Sequence, residues 1–310
     1  MSERARAADF LAHTVGVRAV PEQRVIRVWG DDARTWLSGQ VTNDLRDARQ
    51  GESVYALVLN GKGKIVADVH ALDRGDDWLL LVPTQAADAL LAHLEHYIIM
   101  EDVTLTPLDD LTVLTAQGPA ARATVEAAAI PDAQIVACDR LGTGGVDVLV
   151  PAAHAEAALD SLARAARALG GDRIDDDAFA LAALRLGRPR FGIDFGDRQY
   201  PQEAGLRERA VSFTKGCYLG QEVVCTLESR GQLVRKLVQL TSSSPLAAGA
   251  TIRVDDGSEL GTVTSVAFDP ARGATLALGY VKRARAIVGE VVRIDDADAT
   301  IARVLVADGG

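Results

Sequence analysis

Lys215-Gly216-Cys217-Tyr218-Leu219-Gly220-Gln221-Glu222 sets a cysteine between two glycines, two residues after a lysine. Lys, Gln and Glu resist burial, and glycine brings no side chain to pack, so core sequence is rarely composed this way. Two glycines this close predict a tight loop or a close backbone approach. The run from Gln221 to Ser229 reads as a short helix, which would place Cys217 near a positive helix end with Lys215 beside it. Both favour the thiolate, so Cys217 is expected to be more acidic than a free thiol. The competing reading, a small buried hydrophobe, suits Cys225, which stands in the apolar run Val223-Val224-Cys225.

Outward from this stretch, charge is uneven. The chain of 310 residues has a formal net charge of −10, with 48% hydrophobic and 25% charged residues. From Arg185 to Lys236, however, ten Lys/Arg face six Asp/Glu, so a basic segment sits in an acidic chain. The overall charge argues against non-specific nucleic-acid binding, while the local excess suits an anionic ligand. The sequence lacks an apolar run of membrane-spanning length and an apolar segment after Met1, and has three cysteines. A reducing cytoplasm without a disulfide framework and without membrane attachment is the expectation.

Before the octapeptide, strands are read at Arg24–Trp29, Val54–Leu59, Lys64–Leu72, Trp78–Val82, Leu111–Ala116, Gln134–Cys138 and Val146–Val150. Helices are read at Ala86–Tyr97, Pro119–Ala129, Ala152–Leu169 and Asp176–Leu186, with Asp31 or Asp32 capping a shorter one through Leu37. Asn60-Gly61 marks a hairpin. After Gly231 only strand-like runs remain, at 233–241, 251–254, 261–267, 274–281 and 291–306, separated by Gly and Asp-Gly turns. The fold class is α+β with a C-terminal all-β barrel, divided as residues 1–230 (two α+β lobes) and 231–310 (the barrel).

Familiar site patterns fail. Gly61-Lys62-Gly63-Lys64 lacks the earlier glycine and the Ser/Thr of a phosphate loop, and 142–145 lacks the third glycine of a dinucleotide fingerprint. His93 and His96 share a helix face but have no third ligand, so no metal site is expected.

The octapeptide resembles the signature of the YgfZ-like folate-binding family, a relative of the glycine cleavage T-protein (aminomethyltransferase). Further blocks look similar, in order: Gly30-Asp31-Asp32-Ala33 with Gln40-Val41-Thr42-Asn43-Asp44, Asn60-Gly61-Lys62-Gly63-Lys64 through Asp68, Arg185 through Asp194, Tyr200 through Leu206, and Gly261-Thr262-Val263-Thr264-Ser265. The resemblance implies a three-lobed T-protein-like fold around a tetrahydrofolate cavity. It also implies a role in assembling or maintaining iron–sulfur clusters, with radical-SAM and tRNA-modifying enzymes as clients and Cys217 as the key residue. Lys215 is expected beside Cys217 in the chemistry. Tyr218, Gln221, Glu222 and Glu203 are expected in the cavity, and Arg188, Arg190 and Arg230 suit a folate glutamate tail or ion pairs with Asp194, Asp197 or Glu228. Phe191 is a second stacking candidate beside Tyr218.

Two departures from the T-protein stand out. Its Thr-Gly-Glu-Asp-Gly run is reduced to Thr143-Gly144-Gly145-Val146, without the acidic pair. Pro83-Thr84-Gln85 replaces an Asn-Ala element, with Asp88 the acid nearby. Folate-dependent aminomethyl transfer is therefore an alternative to the accessory role, and a non-enzymatic interaction protein on the same fold is a third.

Overall fold

A computed structural model describes residues 3–46, 48–229 and 233–306. Two five-stranded sheets and a closed six-stranded barrel make up its β-structure. The first sheet runs Ser53–Leu59, Ile65–Asp73, Asp77–Pro83, Gln23–Trp29, Thr104–Pro107, with every neighbour antiparallel. Trp78-Leu79-Leu80-Leu81-Val82 explains why this sheet is an inner layer. Trp78, Leu80 and Val82 pack under the helices Ala33–Gln40 and Thr84–Glu95, while Leu79 and Leu81 face the second sheet. A strand buried on both faces needs a continuous apolar run, because alternate side chains point to opposite sides.

The second sheet runs Asp172–Arg173, Gly16–Ala19, Leu111–Gln117, Gly145–Pro151, Gln134–Ala137. Its inner face meets the first sheet through Val20, Val113, Val136, Cys138 and Leu149. Its outer face is covered by Ala121–Ala128, through Ala121 and Val125, and by Ala155–Ala168, through Ala158, Leu159, Leu162 and Ala163. The body is thus helix, sheet, sheet, helix. Gly16–Ala19 joins the second sheet although the strands following it, from Gln23 to Asp77–Pro83, build the first, so the two lobes are interleaved in the chain.

Helix Asp176–Leu186 links this body to the barrel. Asp175 caps it by accepting from Ala178 N at 2.7 Å, and Gly187 ends it in the left-handed region at φ 65°. The helix packs on Leu237, Leu276, Leu278 and Tyr280 of the barrel and on Ala8 and Leu11 of helix Glu3–His13, an element absent from the sequence reading. The barrel strands, in spatial order, are Arg235–Ser242, Ala274–Lys282, Glu259–Asp269, Thr251–Arg253, Val291–Ile294 and Ala297–Val304. The single run read at 291–306 is two strands, split by a turn where Asp295 takes φ 50°. Aspartate tolerates that region because its short side chain bonds locally. Helix Ala33–Gln40 follows Asp32, whose carboxylate accepts from Asp102 N rather than capping it.

Buried carboxylates fix the barrel. Asp269 accepts from Arg185 at 2.6 and 2.8 Å, and Asp194 accepts from Thr264 Oγ1 and Ser265 Oγ, each at 2.6 Å, and from Arg190 N at 2.9 Å. Asp194→Ala leaves three donors at the junction without their acceptor and is expected to lower stability by about 2–4 kcal/mol in urea denaturation. A loss below about 0.5 kcal/mol would show that the junction is held elsewhere.

Candidate functional site

The residues 200–229 lay the signature against two distant loops. Thr42 is fully buried: its Oγ1 donates to Ala210 O at 2.5 Å and accepts from Leu57 N at 2.9 Å. Asn43 Nδ2 donates to Tyr55 O and Arg209 O. Lys215 completes the arrangement. Its ammonium donates to Ser38 O and Val41 O at 2.6 Å and to Asn43 O at 2.9 Å, and lies 5.3 Å from the Tyr218 ring centre. These carbonyls end helix Ala33–Gln40 and the turn after it, where a cation is favoured. Burial pulls Lys215 down to about 8, with Asp44 nearby opposing. Its charge therefore serves the backbone of residues 38–43.

Gly220 takes φ 83°, and a Cβ there would lie 2.7 Å from Asn60 O. Gly63, at φ 72°, would meet Val223 at 2.9 Å. The turn 60–64 is closed by Asn60 Oδ1, which accepts from Lys62 N and Lys64 N. The two glycine-bearing motifs therefore interlock, and helix Gln221–Ser229 starts from that contact.

Cys217 is exposed, as are Gly216 and Glu222, and Gln221 is half-buried. Tyr218 is buried among Leu57, Ile65, Phe195, Leu206 and Val224. Glu203 is buried too: it accepts from Tyr200 N at 3.2 Å and pairs with Lys64 at 3.7 Å and with Arg235 of the barrel at 3.5 Å. Arg230 lies outside the described residues.

A cavity of about 640 Å³ opens elsewhere, lined by both sheets and by residues 176–193. Of the sequence-derived site residues, Arg188, Arg190 and Phe191 line it. Lys215, Cys217, Tyr218, Gln221, Glu222 and Glu203 do not. Phe191 stands edge-on to Phe195, with ring centres 5.6 Å apart. Arg188 donates through Nε to Leu141 O at 2.8 Å, and burial followed by the neighbouring Arg209 makes its charge less favourable than usual. An anion would relieve both.

Sequence reasoning passed over the carboxylates of this cavity. Asp88 is at the surface, paired with Arg24. Asp68 lines the cavity: its Oδ2 accepts from Tyr55 Oη at 3.0 Å, and its Oδ1 is shielded from solvent without a partner. Burial pushes Asp68 up to about 6. Asp147, three residues past Gly144, is fully buried and holds Arg140 at 3.1 and 2.5 Å. The signal for Asp68 was its place at the end of the Asn60 block. Its strand alternation did not separate it from an ordinary surface acid.

This interlocked α+β body with its capping barrel defines a T-protein-like fold. The GCVT N-terminal domain matches residues 5–139, and the glycine cleavage T-protein C-terminal barrel domain matches residues 235–308. The chain belongs to the GcvT/YgfZ family, which binds tetrahydrofolate. It is 28% identical over 307 residues to the mitochondrial aminomethyltransferase of Gallus gallus, covering 87% of this chain and 74% of that protein. It is 28% identical to the tRNA-modifying protein YgfZ of Klebsiella pneumoniae, covering 76% and 75%. It is also 28% identical to the mitochondrial iron–sulfur cluster assembly factor IBA57 homolog of Pyricularia oryzae, covering 73% and 57%. Aminomethyltransferase T of Bartonella henselae superposes with a TM-score of 0.84 at 22% identity, over 97% of this chain and 88% of that one, a likeness of fold. Among the described residues no helix is long and apolar enough to cross a membrane.

Lys215→Met leaves three carbonyls without their donor, and a loss of about 2–4 kcal/mol is expected in urea denaturation. Cys217→Ser, at an exposed position, is expected to stay within about 0.5 kcal/mol of wild type. Equal losses would mean that the loop is not held by the ammonium.

Asp68 yields a pH signature. Its pKa is raised from 3.8 to about 6 on folding. The folded state therefore binds the extra proton between those values, and stability falls as pH rises through that window. Asp68→Asn removes this slope, so its melting temperature relative to wild type should climb from pH 4 to pH 6 and then level. A flat difference would show an ordinary carboxyl.

Proposed function

We propose that this chain is a folate-binding accessory protein for the assembly or maintenance of iron–sulfur clusters, with reduced folate in the cavity and Cys217 presented to a protein partner. The observation that carries this reading is the division of labour between them. An exposed thiol on a clamped loop suits a macromolecular partner, whereas a group acting on the folate would have to line the cavity.

The cavity residues fit a folate. A volume near 640 Å³ falls within the common range for small-molecule sites, roughly 300–1,000 Å³. The unpartnered Oδ1 of Asp68 is an acceptor for the N–H groups of a pterin. Arg188, Arg190 and Arg209 suit the carboxylates of the glutamate tail, and Phe179, Phe191 and Ile193 supply apolar wall. When bound, tetrahydrofolate would supply a one-carbon carrier. The protein's own part is to orient the ring through Asp68, to neutralise the tail, and to keep the thiol outside. The name of the IBA57 relative supports a role in iron–sulfur cluster assembly, and that of the YgfZ relative a role in tRNA modification, while radical-SAM clients rest on the resemblance of the octapeptide alone. The shortened 143–146 run speaks against aminomethyl transfer, the activity named by the Gallus relative.

The test is complementation of a strain lacking the gene, scored by an iron–sulfur enzyme activity, beside a methylene-transfer assay with aminomethylated lipoyl protein. Wild type should rescue, Cys217→Ala should not, and transfer should be absent. Equal rescue by Cys217→Ala would remove the thiol from the mechanism, and turnover in the transfer assay would replace this reading with the aminomethyltransferase one.

A further inference from the structure

At the cavity wall lies a contact between two side chains that the proposed function does not use. His70 stands two residues after Asp68 on strand Ile65–Asp73, so both side chains share one face of the sheet. Across the ladder its partner is Tyr55, with ring centres 4.8 Å apart. Tyr55, Asp68 and His70 all line the cavity. Cys138, at the end of a strand in the facing sheet, does not line it, and its Sγ lies 3.4 Å from His70 Nδ1.

The hydrogen on this contact can be assigned. Cys138 is buried, and burial followed by the nearby Asp147 carboxylate pushes its thiol well above the ordinary range, so it stays S–H. Asp147 is a second acceptor near the sulfur. Its Oδ1 already accepts from Thr115 at 2.7 Å and Arg140 Nε at 3.1 Å, and its Oδ2 accepts from Arg140 at 2.5 Å. Asp147 keeps one of its four acceptor sites, but the contact of the sulfur that has hydrogen-bond geometry is the one to His70 Nδ1 at 3.4 Å, and the thiol is assigned to it as donor. Burial, then Arg140, brings His70 down to about 3, so the ring is neutral at neutral pH. A neutral imidazole that accepts at one nitrogen carries its proton on the other. That nitrogen, Nε2, is not among the shielded, partnerless polar atoms of the described residues, and His70 keeps 7% of its surface exposed at the cavity wall.

We propose that His70 is a ligand-specificity residue whose Nε2–H is an uncharged donor to a keto oxygen of the bound heterocycle, and that Cys138 is the positioning residue that fixes this tautomer. The inference rests on the folate reading and deepens it. The guanidinium groups of Arg18, Arg140, Arg188, Arg190 and Arg209 suit carboxylates. Of the other uncharged donors in the lining, Tyr55 Oη donates to Asp68, Thr84 Oγ1 to Pro21 O and Gln85 Nε2 to Phe191 O, and Gln23 stands on a different strand. Asp68 supplies an acceptor. A neutral donor on the same strand face as that acceptor matches the edge of a lactam, in which a ring N–H adjoins a C=O. It disfavours an analogue with an amino group in place of the oxygen, because two donors would then face each other.

Two measurements test this on the full chain. Nitrogen NMR of imidazole-labelled protein reads the tautomer without ligand. The Nε2–H form of His70 is expected from about pH 5.5 to about pH 8, and an Nδ1–H form or an imidazolium overturns the assignment. Calorimetric titration then compares tetrahydrofolate with its 4-amino analogue, tetrahydroaminopterin. The ratio of the two affinities should fall about tenfold in His70→Phe and be restored in His70→Gln, which keeps a neutral donor. Cys138→Ala should lower the ratio only in part while populating the second tautomer. An unchanged ratio in His70→Phe, with both ligands bound, overturns the inference alone. Binding of neither ligand by wild type overturns the folate reading and the inference with it.

Discussion

One ammonium holds three parts of this protein in register. Lys215 reaches Ser38 O, Val41 O and Asn43 O, carbonyls that end a helix and would otherwise face a low-dielectric interior without donors. Thr42 and Asn43 extend the same contact to Leu57, Tyr55, Arg209 and Ala210. Tyr55 and Arg209 are cavity residues, and Cys217 follows Lys215 by two positions. The cavity wall and the exposed thiol are therefore fixed by a single polar network. Buried backbone groups must be paired, so this network has few alternative arrangements.

The cavity itself is electrostatically divided. Asp147 neutralises Arg140, and Glu22 with Asp176 neutralises Arg18. Arg188 has a backbone carbonyl rather than a carboxylate at its Nε, and Asp68 has an oxygen with no donor. What the cavity leaves unsatisfied is thus a cation at one place and an acceptor at another. Such residual demands are what a ligand with an anionic tail and a hydrogen-bonding ring would meet. The thiol lies outside this division of charge, on the loop that faces solvent.

Much of the architecture is legible in the chain. The five apolar residues Trp78–Val82 announce a strand with two buried faces, Asp175 and Gly187 bracket a helix, and Asn60 closes its own turn. The glycine-punctuated runs after Gly231 announce the barrel, as all of these signals act over a few residues. The helix Glu3–His13 was not legible, because its alanines become a core face only once helix Asp176–Leu186 is present to receive them. Nor was the split of the last strand pair at Asp295, whose left-handed backbone leaves no pattern in hydropathy.

The sequence by itself determined the family, the α+β class with its terminal barrel, and Cys217 in a glycine-bounded loop. The tertiary structure decided where the charges go. Lys215 looked like a partner for the thiol because it is near in sequence, yet its acceptors lie 172 to 177 residues away. Tyr218 and Glu203 looked like cavity residues, yet one is packed in a core and the other ties a hairpin to the barrel. Asp68 carried only its place at the end of the Asn60 block, and His70 and Cys138 carried no signal until two sheets brought them together. Burial and long-range partners set the protonation and orientation of such groups, and both are properties of the assembled fold rather than of any local stretch of chain.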